Sequence, residues 1–177
     1  MTLIYQPSDD SILIEQVIKK YAKNKSVLDM CAGTGILAIK AINEKAKSVT
    51  AVDINKEAIN SIKENKIKKI HSNLFKNIKN KFDLIICNPP YLPKDKREDK
   101  ESSIATTGGK MGDELILKFL RQSKSHLKRK GIILLLISSL TPKRRINKLL
   151  KELNFKSKII AEKKLFFESL FVLEIKF

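Results

Sequence analysis

Val27-Leu28-Asp29-Met30-Cys31-Ala32-Gly33-Thr34-Gly35 is the stretch whose reading decides the fold. An apolar run of strand length ends in a turn with two glycines. Leu37, Ile39 and Ile42 then follow at helical spacing and are expected to be buried. Strand, glycine turn and helix in that order open a doubly wound α/β layer, whose ligands bind at the carboxyl ends of the strands. Glycine in such a turn lets the chain bend tightly and lets a ligand approach the backbone.

The same alternation extends outward. Upstream, Ser8 is placed to cap a helix with Asp9 and Asp10 in its first turn, and Leu13, Val17, Ile18 and Tyr21 give that helix one apolar face. The first strand covers Ser26 to Cys31 and its helix Ile36 to Lys45. A second strand, Ser48 to Asp53, and a helix, Lys56 to Asn65, come next, followed by a short strand at Lys68 to His71. Phe82 to Cys87 is almost wholly apolar, as a strand covered on both faces should be. Leu92 to Met111 reads as a surface loop and contains the charged run Lys94 to Glu101. A helix over Asp113 to Lys128, a strand over Gly131 to Ser138 and a helix over Pro142 to Leu153 follow, with Pro142 tolerated in the first turn. The last strands, Phe155 to Glu162 and Ser169 to Phe177, are joined by Lys163 to Glu168. That link is too short for a helical crossover and predicts a hairpin. The expected fold is α/β: a mostly parallel seven-stranded sheet with an antiparallel C-terminal hairpin and helices on both faces. It forms one domain over residues 1–177, with 1–24 as lead-in and first helix.

Composition narrows the function classes. With 177 residues, 42% of them apolar, and few Gly or Pro, the chain has material for one full core and does not read as disordered or fibrous. The formal net charge of +17 would attract RNA or an acidic protein surface, but abundant lysine spread over every solvated face would give the same number. Cys31 and Cys87 stand apart from each other and from His71 and His126, so no metal site is expected. Two free cysteines and the lack of a leading apolar segment fit a cytoplasmic setting. The longest apolar run, Ile132 to Ile137, is too short to span a bilayer.

Two constellations carry chemistry. Asp53 ends the second strand, where an acidic side chain can accept from both ribose hydroxyls of a nucleoside; helix capping is its bland alternative. Asp29 has a bland alternative too, as an acceptor for loop N–H groups. The turn lacks the third glycine of a dinucleotide fingerprint, with Ala38 in that place, and no phosphate-binding lysine follows. A nucleoside without pyrophosphate fits better, and S-adenosylmethionine is one. The second constellation is Asn88-Pro89-Pro90-Tyr91, directly after the Phe82 to Cys87 strand. The Asn88 side-chain carbonyl and the Pro89 backbone carbonyl can accept both hydrogens of an NH2 group. The prolines stiffen the turn, and Tyr91 offers a face for a planar amide or base. The chemistry implied is methyl transfer to an amide or amino nitrogen, which needs orientation more than a strong base.

These pieces together resemble the class I, Rossmann-like, S-adenosylmethionine-dependent methyltransferases. More narrowly they resemble the HemK-type glutamine methyltransferases of release factors in their archaeal and eukaryotic branch. The resemblance is carried by YQPSDDS at Tyr5 to Ser11, VLDMCAGTG at Val27 to Gly35, AVDINKEA at Ala51 to Ala58, SNLF at Ser72 to Phe75, DLIICNPPY at Asp83 to Tyr91 and TTGGKMGDE at Thr106 to Glu114. It implies that Asp29, Gly33, Thr34 and Gly35 surround the methionine moiety, Asp53 and Ile54 the ribose, and Asn73 and Leu74 the adenine. Asn73 stands where the family usually has Asp. Tyr5, Pro7 and Asp10 would lie over the cofactor and acceptor site, and Asn88 would serve both cofactor and acceptor. Thr106 to Glu114 is either a substrate-engaging segment or a helix lead-in, in which Gly108 and Gly109 would permit a mobile turn. The implied acceptor is the glutamine N5 of a Gly-Gly-Gln loop in a peptide chain release factor, and the implied partner is a small zinc-binding protein of the Trm112 kind. An RNA methyltransferase acting on guanine N2 or adenine N6 would use the same clamp, and a non-catalytic S-adenosylmethionine-binding protein would keep the same fold.

Overall fold

A computed structural model describes residues 7–94 and 106–177. Along the chain run α1 (Asp9–Ile18), β1 (Ser26–Met30), α2 (Ile36–Asn43), β2 (Ser48–Asp53), α3 (Lys56–Ser61), β3 (Ile67–His71), β4 (Phe82–Cys87), β5 (Leu92–Pro93) and β6 (Thr107–Gly109). They are followed by α4 (Glu114–Ser123), a 3-10 turn (Lys124–His126), β7 (Leu127–Ser138), α5 (Lys143–Glu152), β8 (Lys156–Lys164) and β9 (Ser169–Lys176). The main sheet has seven strands in the order β3-β2-β1-β4-β7-β9-β8. β3, β2, β1, β4 and β7 are parallel; β9 runs antiparallel to both β7 and β8. The fold is therefore the Rossmann-like layer with an antiparallel end that the strand spacing implied.

The period of two along each strand divides the core between the two faces. Leu28, Met30, Ile85, Cys87, Ile133 and Leu135 point to one side and pack with Ile116, Phe119 and Leu120 of α4 and Ile146, Leu149 and Leu150 of α5. Val27, Leu84, Ile86, Leu134 and Leu136 point to the other and meet Ile14 and Ile18 of α1, Ala38 and Ala41 of α2 and Ile59 of α3. Tyr91 touches both cores, at the end of the sheet where they meet.

Several local expectations are corrected. Ser8 occupies the N-cap position of α1, but its side chain makes no capping hydrogen bond. In α2 the buried residues are Leu37, Ala38 and Ala41, whereas Ile39 faces outward. The third helix stops at Ser61, because Ile62 turns extended and buries its side chain under the glycine turn instead. The expected Asp113 to Lys128 helix ends at Ser123. A 3-10 turn then leads directly into β7, four residues ahead of Gly131, as Leu127 pairs with Phe82. His126 in that turn stacks on Phe75 with ring centroids 4.6 Å apart. Leu92 to Met111 is not wholly loop: β5 and β6 pair in a small parallel sheet of their own. Among the described residues no helix is long and apolar enough to cross a membrane, and no group of three His, Cys, Asp or Glu side chains could hold a metal ion.

Candidate active site

The carboxyl ends of β1, β2 and β4 lie side by side, in register from Met30↔Val52 to Met30↔Cys87. A cleft open to solvent sits over them. Its lining brings together Pro7, Asp10, Gly33, Thr34, Asp53, Ile54, Asn73, Leu74, Asn88, Pro89, Pro90 and Tyr91. Asp29 and Gly35 stand outside that lining, and Tyr5 lies outside the described residues. Ile36, Leu74 and Leu115 make the walls partly apolar.

The glycine turn is held from below. Gly35 has φ +79°, and a Cβ there would come within 2.7 Å of Ile62 Cδ1, so both the backbone and the space demand glycine. The Gly33 N–H donates to Asp53 Oδ2 at 2.8 Å, and the Ala32 N–H donates to the Val52 carbonyl at 3.0 Å. Asp53 Oδ1 accepts from the Asn55 N–H at 2.8 Å. The Ile54 N–H also bonds this carboxylate, so three backbone donors hold Asp53 where it lines the cleft. Burial raises the Asp53 carboxyl above its ordinary value, opposed by these backbone N–H groups.

Asp29 works from the other side of the turn. It is fully buried, its Oδ2 accepts from the Ala38 N–H at 2.9 Å, and its Oδ1 has no partner among the described residues. Its geometry is that of a group ordering the start of α2, the blander of the two roles open to it from sequence. Burial pushes its carboxyl up to about 8; the Ala38 N–H opposes this and the Asp53 charge adds to it. Between the unfolded value of about 3.9 and that folded value, the folded chain holds a proton that the unfolded chain releases. Stability should therefore fall as pH rises through that window. An asparagine keeps the acceptor and has no such proton. Asp29→Asn is expected to match the parent near pH 5 and to gain on it toward pH 8, by roughly 1 kcal/mol per pH unit at the steepest. Denaturant unfolding across pH 5 to 9 measures this, and parallel curves for the two proteins would remove the neutral-carboxyl assignment.

The clamp is the most informative part of the site. Asn88 follows β4, and its Oδ1 is buried with no hydrogen-bond partner among the described residues. Its Nδ2 donates to the Ser11 hydroxyl at 3.2 Å, a contact across 77 residues of chain. Ser11 is buried on α1, so the first helix anchors one end of the Asn88 amide, and the carbonyl oxygen is the end without a partner. Sequence reading placed Ser11 in the segment over the site but gave it no contact. A buried acceptor without a donor is costly, and Asp29 Oδ1 is another; the one on Asn88 belongs to a residue of the cleft lining.

Glycines back the clamp. A Cβ on Gly108 would lie 2.6 Å from the Pro90 carbonyl oxygen, and one on Gly112 would lie 2.5 Å from that of Tyr91. The Thr106 to Glu114 segment is thus packed against the Asn-Pro-Pro-Tyr turn. Below the cleft, Cys87 pairs with Met30, the residue before Cys31, and the Cys31 and Cys87 thiols, isolated in the sequence, are in contact. Burial first, and the neighbouring Cys31 second, push the Cys87 thiol well above its ordinary value, which makes it an unreactive floor.

Residues 9–167, nearly the whole chain, match the pattern of the methyltransferase small domain. The chain belongs to that methyltransferase family. Among its relatives is a Methanocaldococcus jannaschii protein named for N5-glutamine methylation, 41% identical over 179 residues, which cover 96% of this chain and 90% of that one. The release factor glutamine methyltransferase of Borreliella burgdorferi is 36% identical over 143 residues, covering 72% of this chain but 50% of the bacterial enzyme. The small methyltransferase domain thus spans about half the length of that bacterial relative. In fold it is similar to a chain of the E. cuniculi Mtq2–Trm112 complex, which is responsible for methylation of the eRF1 translation termination factor. The TM-score is 0.80 at 21% identity, over 97% of both chains.

Proposed function

We propose that this methyltransferase transfers the methyl group of S-adenosylmethionine to the side-chain amide nitrogen of glutamine, in the Gly-Gly-Gln loop of a peptide chain release factor. The observation that carries the proposal is the buried, unpartnered Oδ1 of Asn88 in a cleft beside the glycine turn. The relatives named for glutamine N5-methylation support the choice of acceptor.

The lining fits the cofactor. Asp53 lines the cleft with acceptor capacity left beyond its three backbone donors and would take a ribose hydroxyl, Ile54 and Leu74 supply apolar contact, and Asn73 is exposed at the adenine end, where its Oδ1 can accept from an exocyclic amine. When bound, S-adenosylmethionine supplies an electrophilic methyl on a sulfonium. Asn88 Oδ1 and the Pro89 carbonyl accept the two hydrogens of the glutamine NH2, hold the amide in one orientation and favour positive charge developing on its nitrogen. The Tyr91 ring gives the planar amide a face to rest on. Ser11 accepts from Asn88 Nδ2, the arrangement in which Oδ1 is left for the glutamine NH2. The surplus proton leaves a nitrogen that methylation has made acidic, so no histidine base is required.

β3 is one edge of the sheet, with Lys68 and Lys69 exposed, and offers backbone groups to an added strand. The reading extends to a Trm112-like partner along that edge and to a cytoplasmic site of action on the translation apparatus. Transfer of labelled methyl is expected to release factor, tested alone and with such a partner, and not to total tRNA or rRNA. Label confined to RNA would overturn the acceptor assignment and favour a flipped base in the same clamp.

A further inference from the structure

Phe166 and Phe167 are 93% and 86% exposed, at the turn between β8 and β9. Their rings meet edge to face with centroids 4.6 Å apart. Nothing in folding requires two phenylalanines there, and each leaves a large apolar area in water. The turn is nonetheless well held. The Leu165 N–H donates to the Glu168 carbonyl at 2.7 Å, Glu168 accepts from the Ser138 hydroxyl, and the Ser139 N–H donates to the Ser169 carbonyl at 2.8 Å.

Topology puts this tip on the rim of the active site. β9 runs antiparallel to β7, and its first residues pair with the carboxyl end of β7 (Ser138↔Leu170). β7 is the neighbour of β4, whose end carries Asn88. The hairpin therefore leaves the sheet at the same edge as the clamp, two strand spacings away, on the order of 10 Å. Lys163, at the base of the tip, pairs with Asp9 at 2.8 Å, and Asp9 adjoins Asp10 of the cleft lining.

We infer that the Phe166–Phe167 tip is the apolar anchor on which the glutamine-bearing protein docks beside the clamp. The inference rests on the acceptor reading above and names the element that holds that acceptor. Charge separates a protein from a nucleic acid as the occupant. In a chain of net charge +17, the segment from Glu162 to Glu168 carries two acids and two lysines, Lys163 is committed to Asp9, and the neighbouring Lys143 is committed to the face of Phe171. A stacking platform for nucleic acid needs free cations along it to follow the phosphates. A rigid aromatic pair in a segment of balanced charge matches instead the centre of a protein interface, where aromatics are enriched and charges depleted.

The test compares the parent chain with the double variant Phe166→Ser, Phe167→Ser on two acceptors: the intact release factor and a short peptide holding only its Gly-Gly-Gln loop. With intact protein, KM should rise about 10-fold or more with kcat nearly unchanged. With the peptide, the two enzymes should match, as they should in melting temperature and in S-adenosylmethionine affinity. Equal KM values on the intact protein would sink the anchor and leave the acceptor reading standing. A parent that methylates neither acceptor would sink both. A variant that loses RNA binding, or that turns a dimeric parent into a monomer by light scattering, would reassign the tip to RNA or to a second copy of the chain.

Discussion

Asn88→Ala is expected to slow methyl transfer by a factor on the order of 10²–10³, the usual loss when one preorganised hydrogen-bond partner of a developing charge is removed. S-adenosylmethionine affinity should stay within about threefold, since Asp53 and the apolar lining are untouched. The expectation follows from the state of one atom. Asn88 Oδ1 is buried without a donor, while Nδ2 is held by Ser11. Alanine deletes the acceptor and frees the Ser11 hydroxyl, so the acceptor nitrogen keeps the Pro89 carbonyl alone and can turn about it. Stability should change little, because alanine removes one unpaired buried acceptor but leaves the buried Ser11 hydroxyl without its partner. Single-turnover rates with saturating cofactor, beside unfolding midpoints, measure both. A rate within twofold of the parent would show that the nitrogen is gripped elsewhere.

What could be read from the chain beforehand follows burial. β2 and β4 were bounded to the residue, because each is an apolar run closed by a polar stop, Asp53 in one case and Asn88-Pro89 in the other. β7 begins earlier than expected because Lys128, Arg129 and Lys130 are exposed and show no alternation; pairing with β4, not pattern, extends the strand there. β5 and β6 are too short for any periodicity to register. In the site, the convergence of Asp53 and Asn88-Pro89-Pro90-Tyr91 on one cleft was legible because each ends a parallel strand at the same side of the sheet. The Ser11–Asn88 contact was not, since it joins residues 77 apart. Nor could spacing separate Asp29 from Asp53: both acids flank the glycine turn, and only the depth of burial makes one a prop for α2 and leaves the other facing the cleft.

Asp53→Ala should act on binding where Asn88→Ala acts on rate. One carboxylate does two tasks here: it holds the N–H groups of Gly33 and Asn55, each at 2.8 Å, and it faces the cleft with its remaining lone pairs. Hydrogen bonds to a charged group contribute about 1.5–3 kcal/mol each, so loss of the ribose contact predicts an S-adenosylmethionine dissociation constant raised by roughly 10- to 10²-fold. Calorimetric titration reads this directly, and unchanged affinity would refute the ribose role. The two tasks are separable through the ligand. A cofactor analogue lacking the ribose 2′-hydroxyl should bind the parent more weakly, yet lose little further in Asp53→Ala, because the partner of that hydroxyl is already gone. If Asp53 served only to brace the turn, removing the hydroxyl would cost the same in parent and variant. Non-additivity between a deletion in the ligand and a deletion in the protein therefore distinguishes an acceptor that faces the cleft from a strut beneath it.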